Sequence, residues 1–182
     1  MRVTRILTIS GSLRRHSSNS EVLRALSIVA PTDVGIVPYE DLATLPFFNP
    51  DLDEEGMMAP PPVRDFRRQV GEADALFICS PEYAHGVPGV LKNALDWLVS
   101  APEIIFKPIG LLNASPRSTH AQASLAETLR TMSTRIVSDA SVMLPLSGRR
   151  LDARGIVADS QLADMLRTAI DALVRAVKSP SP

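Results

Sequence analysis

The segment GSLRRHSSNS at 11–20 carries the hydrogen-bond donors that an anion requires. Ser12, Ser17 and Asn19 supply hydroxyl and amide groups, and Arg14 supplies a fixed positive charge with a planar set of N–H donors. The segment leads from an apolar run into a helical pattern, so the free amides of that helix N-terminus point into it. Serine and asparagine are also common helix caps, so a phosphate site and an ordinary helix start are both open interpretations.

The loop lacks the glycines of the two common nucleotide-binding motifs. Neither GxGxxG nor GxxxxGK[ST] occurs anywhere in the chain. A dinucleotide pyrophosphate or a triphosphate is therefore disfavoured. A terminal monophosphate fits a compact cup of hydroxyl groups better.

A second segment, SPEYAHGVPG at 80–89, combines two prolines and two glycines with Tyr83 and His85. Prolines and glycines give a turn a rigid shape that exposes backbone amides, and Tyr83 offers a flat aromatic face. A planar heterocycle fits such a loop, with its carbonyl groups bonded to main-chain N–H groups. A purely structural turn with Tyr83 in the core is the alternative.

Other chemistries find less support. His16, His85 and His120 lie in three different loops, but no pair has helical ligand spacing and no acidic co-ligand is evident, so we expect no metal site. The absence of GxSxG disfavours a serine hydrolase. Cys79 is the only cysteine and lies in an apolar strand, which indicates an inert core thiol and no disulfide.

The elements that position these loops alternate between strand and helix patterns. Strands are predicted at 3–10, 34–40, 75–80, 108–115 and 135–144. Helices are predicted at 21–30, 63–73, 88–99 and 121–133, and a last helix follows an N-cap at Ser160. Ser18 and Glu21 have capping-box spacing, which places the first helix start near Ser18. The alternation predicts a parallel sheet with helices on both faces. Ligands bind such sheets at the carboxyl ends of the strands, here the loops at 10–19, 80–88 and 115–120.

Length and charge also bear on domain number and on the class of partner. The 182 residues predict one domain over 1–182, with a disordered tail at 179–182. The net charge of −1, without runs of like charge, argues against a nucleic-acid or membrane surface. Arg5 interrupts the apolar N-terminal residues, so no signal peptide is predicted, and no stretch approaches the ~20 apolar residues of a membrane helix. We expect a cytoplasmic protein.

Taken together, the two loops resemble those of the NADPH-dependent FMN reductase family, which includes chromate, quinone and azo-dye reductases. The family's GSLRxxSxN loop is matched by Gly11, Ser12, Leu13, Arg14, Ser17 and Asn19. Its PEYNxGxPGxLKNAxDW segment is matched by Pro81, Glu82, Tyr83, Gly86, Pro88, Gly89, Leu91, Lys92, Asn93, Ala94, Asp96 and Trp97. The order of elements fits over nearly the whole chain.

The resemblance implies a flavodoxin-like three-layer α/β sandwich, strand order 2-1-3-4-5, with noncovalent FMN in a homodimer or homotetramer. The cofactor-binding residues it implies are Ser12, Arg14, Ser17 and Asn19 at the phosphate, Pro81, Glu82, Tyr83, Ala84 and Gly86 along the flavin ring, and Ser115 in the third loop. The helix at 92–97 would contribute to the subunit interface. Two positions depart from the family: Ala84 replaces its asparagine, and the loop at 114–125 lacks its glycines and carries Arg117 and His120.

The same resemblance implies ping-pong hydride transfer from NADPH or NADH to FMN and on to a small-molecule acceptor such as a quinone, azo compound or metal oxyanion. Such a scheme requires no protein nucleophile or base, so we name no catalytic residue. A flavodoxin-like electron carrier is an alternative that the net charge of −1 and the loop arginine disfavour. A non-enzymatic homologue with weakened flavin binding is another, motivated by Ala84 and the glycine-poor third loop.

Overall fold

The computed structural model describes residues 2–54, 56–146 and 148–179. Of the tail predicted to be disordered, only Ser179 is among them, and 180–182 lie outside the described residues. The elements are β1 (Thr4–Ser10), α1 (Ser18–Val29), β2 (Val34–Tyr39), α2 (Pro61–Glu72), β3 (Ala75–Cys79), α3 (Gly89–Asp96), β4 (Pro108–Asn113), α4 (Thr119–Thr131), β5 (Arg135–Ile136), β6 (Val142–Met143), α5 (Ala153–Ala158) and α6 (Ser160–Lys178). Single 3-10 turns occur at Leu42–Thr44, Pro50–Leu52, Pro102–Ile104 and Ser138–Ala140.

The strands form one parallel sheet in the order β2-β1-β3-β4-β5, with β6 also paired to β4. This order confirms the predicted flavodoxin-like arrangement. In the register, Ser10 pairs with Cys79 and Cys79 pairs with Leu112. The carboxyl ends of β1, β3 and β4 therefore lie at one edge of the sheet, and the loops that follow them start side by side.

Helices cover both faces of the sheet because successive strand residues point to opposite sides. On one face, Leu7, Leu76 and Ile109 pack in a core that includes residues of α2, α3 and α4. On the other, Ile6 and Phe77 pack in a core built with α1, α5 and α6. The near-continuous apolar strands of the sequence reflect this burial on both sides.

The predicted fifth strand at 135–144 is wrong in one respect, because it is interrupted by the 3-10 turn at Ser138–Ala140. The Ser141 hydroxyl accepts a hydrogen bond from the Leu111 amide (3.1 Å) and donates one to the Val137 carbonyl (2.9 Å). This side chain satisfies a β4 amide that a continuous strand would pair through its backbone. Serine commonly competes with regular pairing in this way, and apolar periodicity does not reveal it.

Two predicted helix caps are also wrong. The N-cap of α1 is Ser17, without a side-chain cap, and Glu21 accepts instead from the Ala153 amide at 2.9 Å. For α6 the cap is Asp159, whose carboxylate accepts from the Leu162 amide at 3.2 Å. The spacing rule located the helix starts to within a residue, but distant partners decided what each side chain binds. Helix α5 was not predicted, because its six residues are too few for a helical repeat of apolar residues to be recognised.

The loop between β2 and α2 is held by side chains of the KNALDW motif. Asn93 donates to the Pro46 carbonyl (2.9 Å) and accepts from the Phe48 amide (2.8 Å), and the Trp97 indole donates to the same Pro46 carbonyl (2.8 Å). Trp97 is fully buried. These motif residues therefore brace a surface loop within their own chain and leave Phe47 90% exposed.

Asp53 fixes the far end of the same loop. Its carboxylate receives two hydrogen bonds from Arg67, at 2.8 and 2.7 Å, and one from the Ser100 hydroxyl. Arg67 also donates to the Trp97 carbonyl at 2.8 Å. The side chain of Asp53 is only 10% exposed and that of Arg67 only 17% exposed. Hydrogen bonding from Arg67 holds the pKa of Asp53 below its ordinary value.

Replacing Asp53 with asparagine is expected to lower the free energy of unfolding by about 1–2 kcal/mol at pH 7, because Arg67 loses a charged, bidentate partner. Since the folded-state pKa is depressed, the contribution is present above the unfolded pKa of about 3.9 and is lost as the pH falls through the folded value. Urea unfolding of both proteins between pH 7 and pH 3 measures this. A difference that stays constant as the pH falls would contradict the assignment.

Candidate functional site

A cavity of about 1040 Å³ opens at the carboxyl edge of the sheet, large enough for a nucleotide-sized ligand. Segments that line it come from the loops after β1, β3 and β4, as predicted, and from the segment after β6. The predicted site residues that line it are Ser12, Arg14, Ser17, Asn19, Pro81, Glu82, Tyr83 and Ser115. Ala84 and Gly86 do not line it.

Gly11 allows the loops after β1 and β3 to pack closely against each other where they begin. Its amide donates to the Cys79 carbonyl at 2.9 Å. A Cβ at this position would lie 2.8 Å from the Ser80 hydroxyl oxygen and 3.0 Å from a Leu91 methyl group. The single glycine of GSLRRHSSNS therefore serves close packing against β3, and the donors of the loop come from its other residues.

The first loop presents donors that are already oriented. Ser12 and Ser17 are buried. The Ser12 oxygen accepts from the Arg14 amide (3.3 Å) and the Ser17 oxygen accepts from the Asn19 side chain (3.4 Å). Because each oxygen already accepts a bond, its O–H group is left to donate into the cavity. The N-terminus of α1 has no side-chain cap, so its first amides add to these donors.

Asn19 is held from beneath by Cys79. The buried thiol donates to the Asn19 side-chain oxygen at 3.2 Å. Burial raises the pKa of the Cys79 thiol, which keeps it protonated and able to donate. The prediction of an inert core thiol is confirmed, and the structure adds that this thiol leaves the Asn19 amide nitrogen for Ser17 and the cavity.

Arg14 supplies the positive charge. It makes no ion pair with any residue that the structure describes, whereas Arg24 and Arg149 pair with Glu21 and Asp159. Arg14 and Ser12 also line a smaller cavity of about 500 Å³ beside α1, so they form the wall between the two spaces. An exposed arginine without a carboxylate partner is suited to an anionic ligand.

The second loop closes in a two-residue turn. Tyr83 and Gly86 exchange backbone hydrogen bonds, at 3.1 and 2.9 Å, and Ala84 and His85 between them have φ of 49° and 60°. Positive φ at both central residues defines a type I′ turn, for which asparagine and glycine are preferred. Asparagine at the position of Ala84 therefore suits the backbone, whatever else its side chain does.

Ala84→Gly is expected to raise the free energy of unfolding by about 1 kcal/mol, because alanine is strained at positive φ and glycine is not. Ala84→Asn should give about half of that gain. Thermal or urea unfolding of the protein measures both. Ala123→Gly on the exposed face of α4 is the matched control, and it should lose about 1 kcal/mol. If glycine changed the free energy of unfolding in the same direction at positions 84 and 123, the turn assignment would be contradicted.

The third loop is braced from within. Asn113, at the end of β4, donates to the Ser118 carbonyl (3.1 Å) and accepts from the Ser115 amide (2.9 Å). This side chain gives a glycine-poor loop a defined shape. Among the described residues that line the cavity, neither Arg117 nor His120 is found. The His120 ring instead contacts His85 edge-on, with centroids 4.4 Å apart.

The segment after β6 was missed by the sequence analysis. Leu146, Gly148, Arg149, Arg150, Leu151 and Asp152 line the cavity. Arg149 pairs with Asp159 at 2.8 Å. The segment reaches the site because β6 runs parallel to β4 and because Glu21 binds the first amide of α5. The only local signal is Asp152, which caps α5 through the Gly155 amide at 2.7 Å.

Within residues 2–54, 56–146 and 148–179, no group of three or more His, Cys, Asp or Glu side chains is placed to hold a metal ion. In the same part of the chain, no helix has the length and apolar character that crossing a membrane requires.

Fold and site together define a flavodoxin-like α/β protein with a strand-end cavity that suits a phosphorylated ligand. The family model of NADPH-dependent FMN reductase matches residues 4–148. An NAD(P)H-dependent FMN reductase of Pseudomonas aeruginosa is 34% identical over 174 residues, which cover 93% of this chain and 92% of the relative. This chain belongs to the NADPH-dependent FMN reductase family, and it is a flavin-dependent oxidoreductase.

Two further similarities agree with this assignment. A 2-hydroxy-1,4-benzoquinone reductase of a Burkholderia species is 30% identical over 178 residues, covering 92% of each chain. The solved structure of the flavoenzyme NAD(P)H:acceptor oxidoreductase of Paracoccus denitrificans has a TM-score of 0.76 and 26% identity, and covers 97% of this chain and 98% of its own. The predicted family, fold class, and FMN and NAD(P)H as cofactors are confirmed.

Proposed function

We propose that this protein transfers reducing equivalents from NADPH or NADH, through FMN bound in the large cavity, to small acceptors such as quinones. The observation that carries the proposal is that one cavity is lined both by the buried donors Ser12, Ser17 and Asn19 and by the rigid turn that carries Tyr83. The quinone class is supported by the benzoquinone reductase among the relatives. Azo compounds and metal oxyanions are acceptors that the same open cavity would accommodate.

The FMN phosphate is assigned to the first loop. Ser12 and Ser17 donate their free O–H groups, Asn19 donates through its amide, and Arg14 balances the charge. The uncapped N-terminus of α1 adds backbone amides and a favourable dipole. This donor set fits a dianionic monophosphate, and burial of Ser12, Ser17 and Asn19 strengthens each bond to it.

The flavin ring is assigned to the other side of the cavity, between the second and third loops. Pro81, Glu82 and Tyr83 line that side together with Ser115. Ala84 and Gly86 act through the turn geometry that fixes Tyr83, rather than by lining the cavity. Tyr83 is about half exposed at the mouth, where a ring can pack against its face.

Bound FMN supplies the hydride and electron chemistry, so the chain's own residues bind, orient and exclude water. The rigid second and third loops would hold the ring and leave one side of the cavity open to a donor and then to an acceptor. Backbone amides that face the bound ring would stabilise negative charge on it. No side chain is required as nucleophile or general base.

Mixing the purified protein with FMN and following its absorbance tests the proposal. Bound flavin bands should appear, bleach anaerobically with NADPH or NADH, and return when a benzoquinone is added. Bound flavin that ignores both nicotinamide donors but accepts electrons from a reductase would identify an electron carrier. Failure to bind FMN would identify a non-enzymatic homologue. Either result would overturn the proposal.

We extend the proposal to a single FMN-binding domain over 1–182 that works in the cytoplasm as a homodimer or homotetramer. The exposed apolar residues Phe47, Met57 and Met58 lie on the loop that Asn93 and Trp97 brace, and they suit a second copy of the chain. Phe47→Glu is therefore expected to lower the molar mass measured by light scattering. An unchanged mass would place the interface elsewhere.

A further inference from the structure

Glu82 links the second and third loops across the rim of the cavity. Its side chain is only 12% exposed, and one carboxylate oxygen accepts from the Ala121 amide at 2.8 Å, although the two residues are 39 positions apart. The other oxygen lies 3.3 Å from His85 Nδ1. Glu82 also lines the cavity, so its side chain lies beside the space proposed for the flavin ring.

The bond to Ala121 replaces a missing local cap. Helix α4 begins at Thr119, and its N-cap Ser118 forms no side-chain cap. Ala121 is the third helical residue, whose amide an N-cap side chain would ordinarily satisfy. Glu82 supplies this acceptor from another loop, and the helix dipole favours a carboxylate there. The start of α4 is therefore set by a residue of the β3 loop.

We propose that Glu82 is a positioning residue for the cofactor. Its carboxylate fixes the spacing of the second and third loops, and its negative charge disfavours reduced FMN relative to oxidised FMN. The inference rests on the proposed function, because it concerns how that site treats FMN. Asn113 braces the third loop from within, and Glu82 joins this loop to the second one by a hydrogen bond, beside the ring contact between His85 and His120.

Two substitutions separate position from charge. Glu82→Gln keeps an oxygen for the Ala121 amide and removes the charge, whereas Glu82→Ala removes both. We expect Glu82→Ala to weaken oxidised FMN binding by about tenfold or more, the scale of a lost hydrogen bond to a charged group. Glu82→Gln should bind oxidised FMN within about threefold of the wild type, because the hydrogen bond survives.

The effect of the Glu82 charge is measured separately, by the midpoint potential of bound FMN. Reduced FMN is more negative than oxidised FMN at neutral pH, so removing the carboxylate should favour the reduced form. We expect Glu82→Gln to raise the preference for reduced over oxidised FMN by about tenfold, which is about 30 mV in a two-electron midpoint potential. Glu127→Gln, on the exposed part of α4, removes an equal charge away from the cavity and should change neither quantity.

The measurements are FMN titration by fluorescence quenching, the midpoint potential of bound FMN, and thermal unfolding of each apoprotein. Wild-type affinity in Glu82→Ala, or an unchanged potential in Glu82→Gln, would overturn the inference while leaving FMN binding intact. A wild type that binds no FMN would overturn the proposed function and this inference with it. Glu82→Asp, which keeps the charge but shortens the reach, replaces Glu82→Ala if that variant does not fold, and the same loss of affinity is expected.

Discussion

Replacing Arg14 with alanine is expected to weaken FMN binding by about 1.5–3 kcal/mol, which is the scale of a hydrogen bond to a charged group. Arg14 has no carboxylate partner among the described residues, so little of its charge is neutralised within the protein. Its side chain lines the cavity beside the buried hydroxyl groups of Ser12 and Ser17. The loss should therefore fall on the ligand and leave folding stability nearly unchanged.

Riboflavin provides the comparison, since it has the same ring without the phosphate. Titration of both ligands should show a large loss for FMN and a small one for riboflavin. Arg15→Ala is the matched control, because Arg15 is adjacent and exposed but does not line the cavity. Equal losses for the two ligands, or equal losses for the two arginines, would contradict the phosphate assignment.

Gly110→Ala is expected to lower the free energy of unfolding by about 3 kcal/mol, the upper range for overpacking a core. A Cβ at Gly110 would lie 2.4 Å from a Phe77 ring carbon and 2.8 Å from the Ala140 carbonyl oxygen. Phe77 is fully buried, and Ala140 belongs to the turn that interrupts the fifth strand. The turn can approach β4 this closely only because residue 110 is a glycine and has no side chain.

Urea unfolding of the variant measures this loss. Gly89→Ala is the control, because a Cβ there would meet no atom within 4 Å apart from its adjacent residues and the backbone of its own helix, and it should be neutral or stabilising at the start of α3. Combining Gly110→Ala with Phe77→Leu should recover part of the cost, since a smaller side chain frees the space. A Gly110→Ala variant as stable as the wild type would contradict the packing argument.

The sequence by itself determined the strand and helix alternation, the parallel sheet and the two loops that meet at its edge. These features are readable because they are local: VTRILTIS has a strand pattern, ALFICS is a continuous apolar run, and GSLRRHSSNS and SPEYAHGVPG each follow a strand. Parallel strands place their carboxyl ends on one edge, so the position of Ser12 near Tyr83 followed from topology alone. The family resemblance rested on the same local segments.

The tertiary structure alone decided which side chains hold the site in shape. Cys79 beneath Asn19, Glu82 on the α4 amide, and the cavity-lining residues Leu146 and 148–152 join parts of the chain that are far apart in sequence. The positive φ of Ala84 and the interruption of the fifth strand also depend on partners outside each segment. Hydrophobic periodicity reports which face of an element is buried. It carries no information on which distant donor satisfies a given acceptor, and those pairings are fixed only when the elements pack.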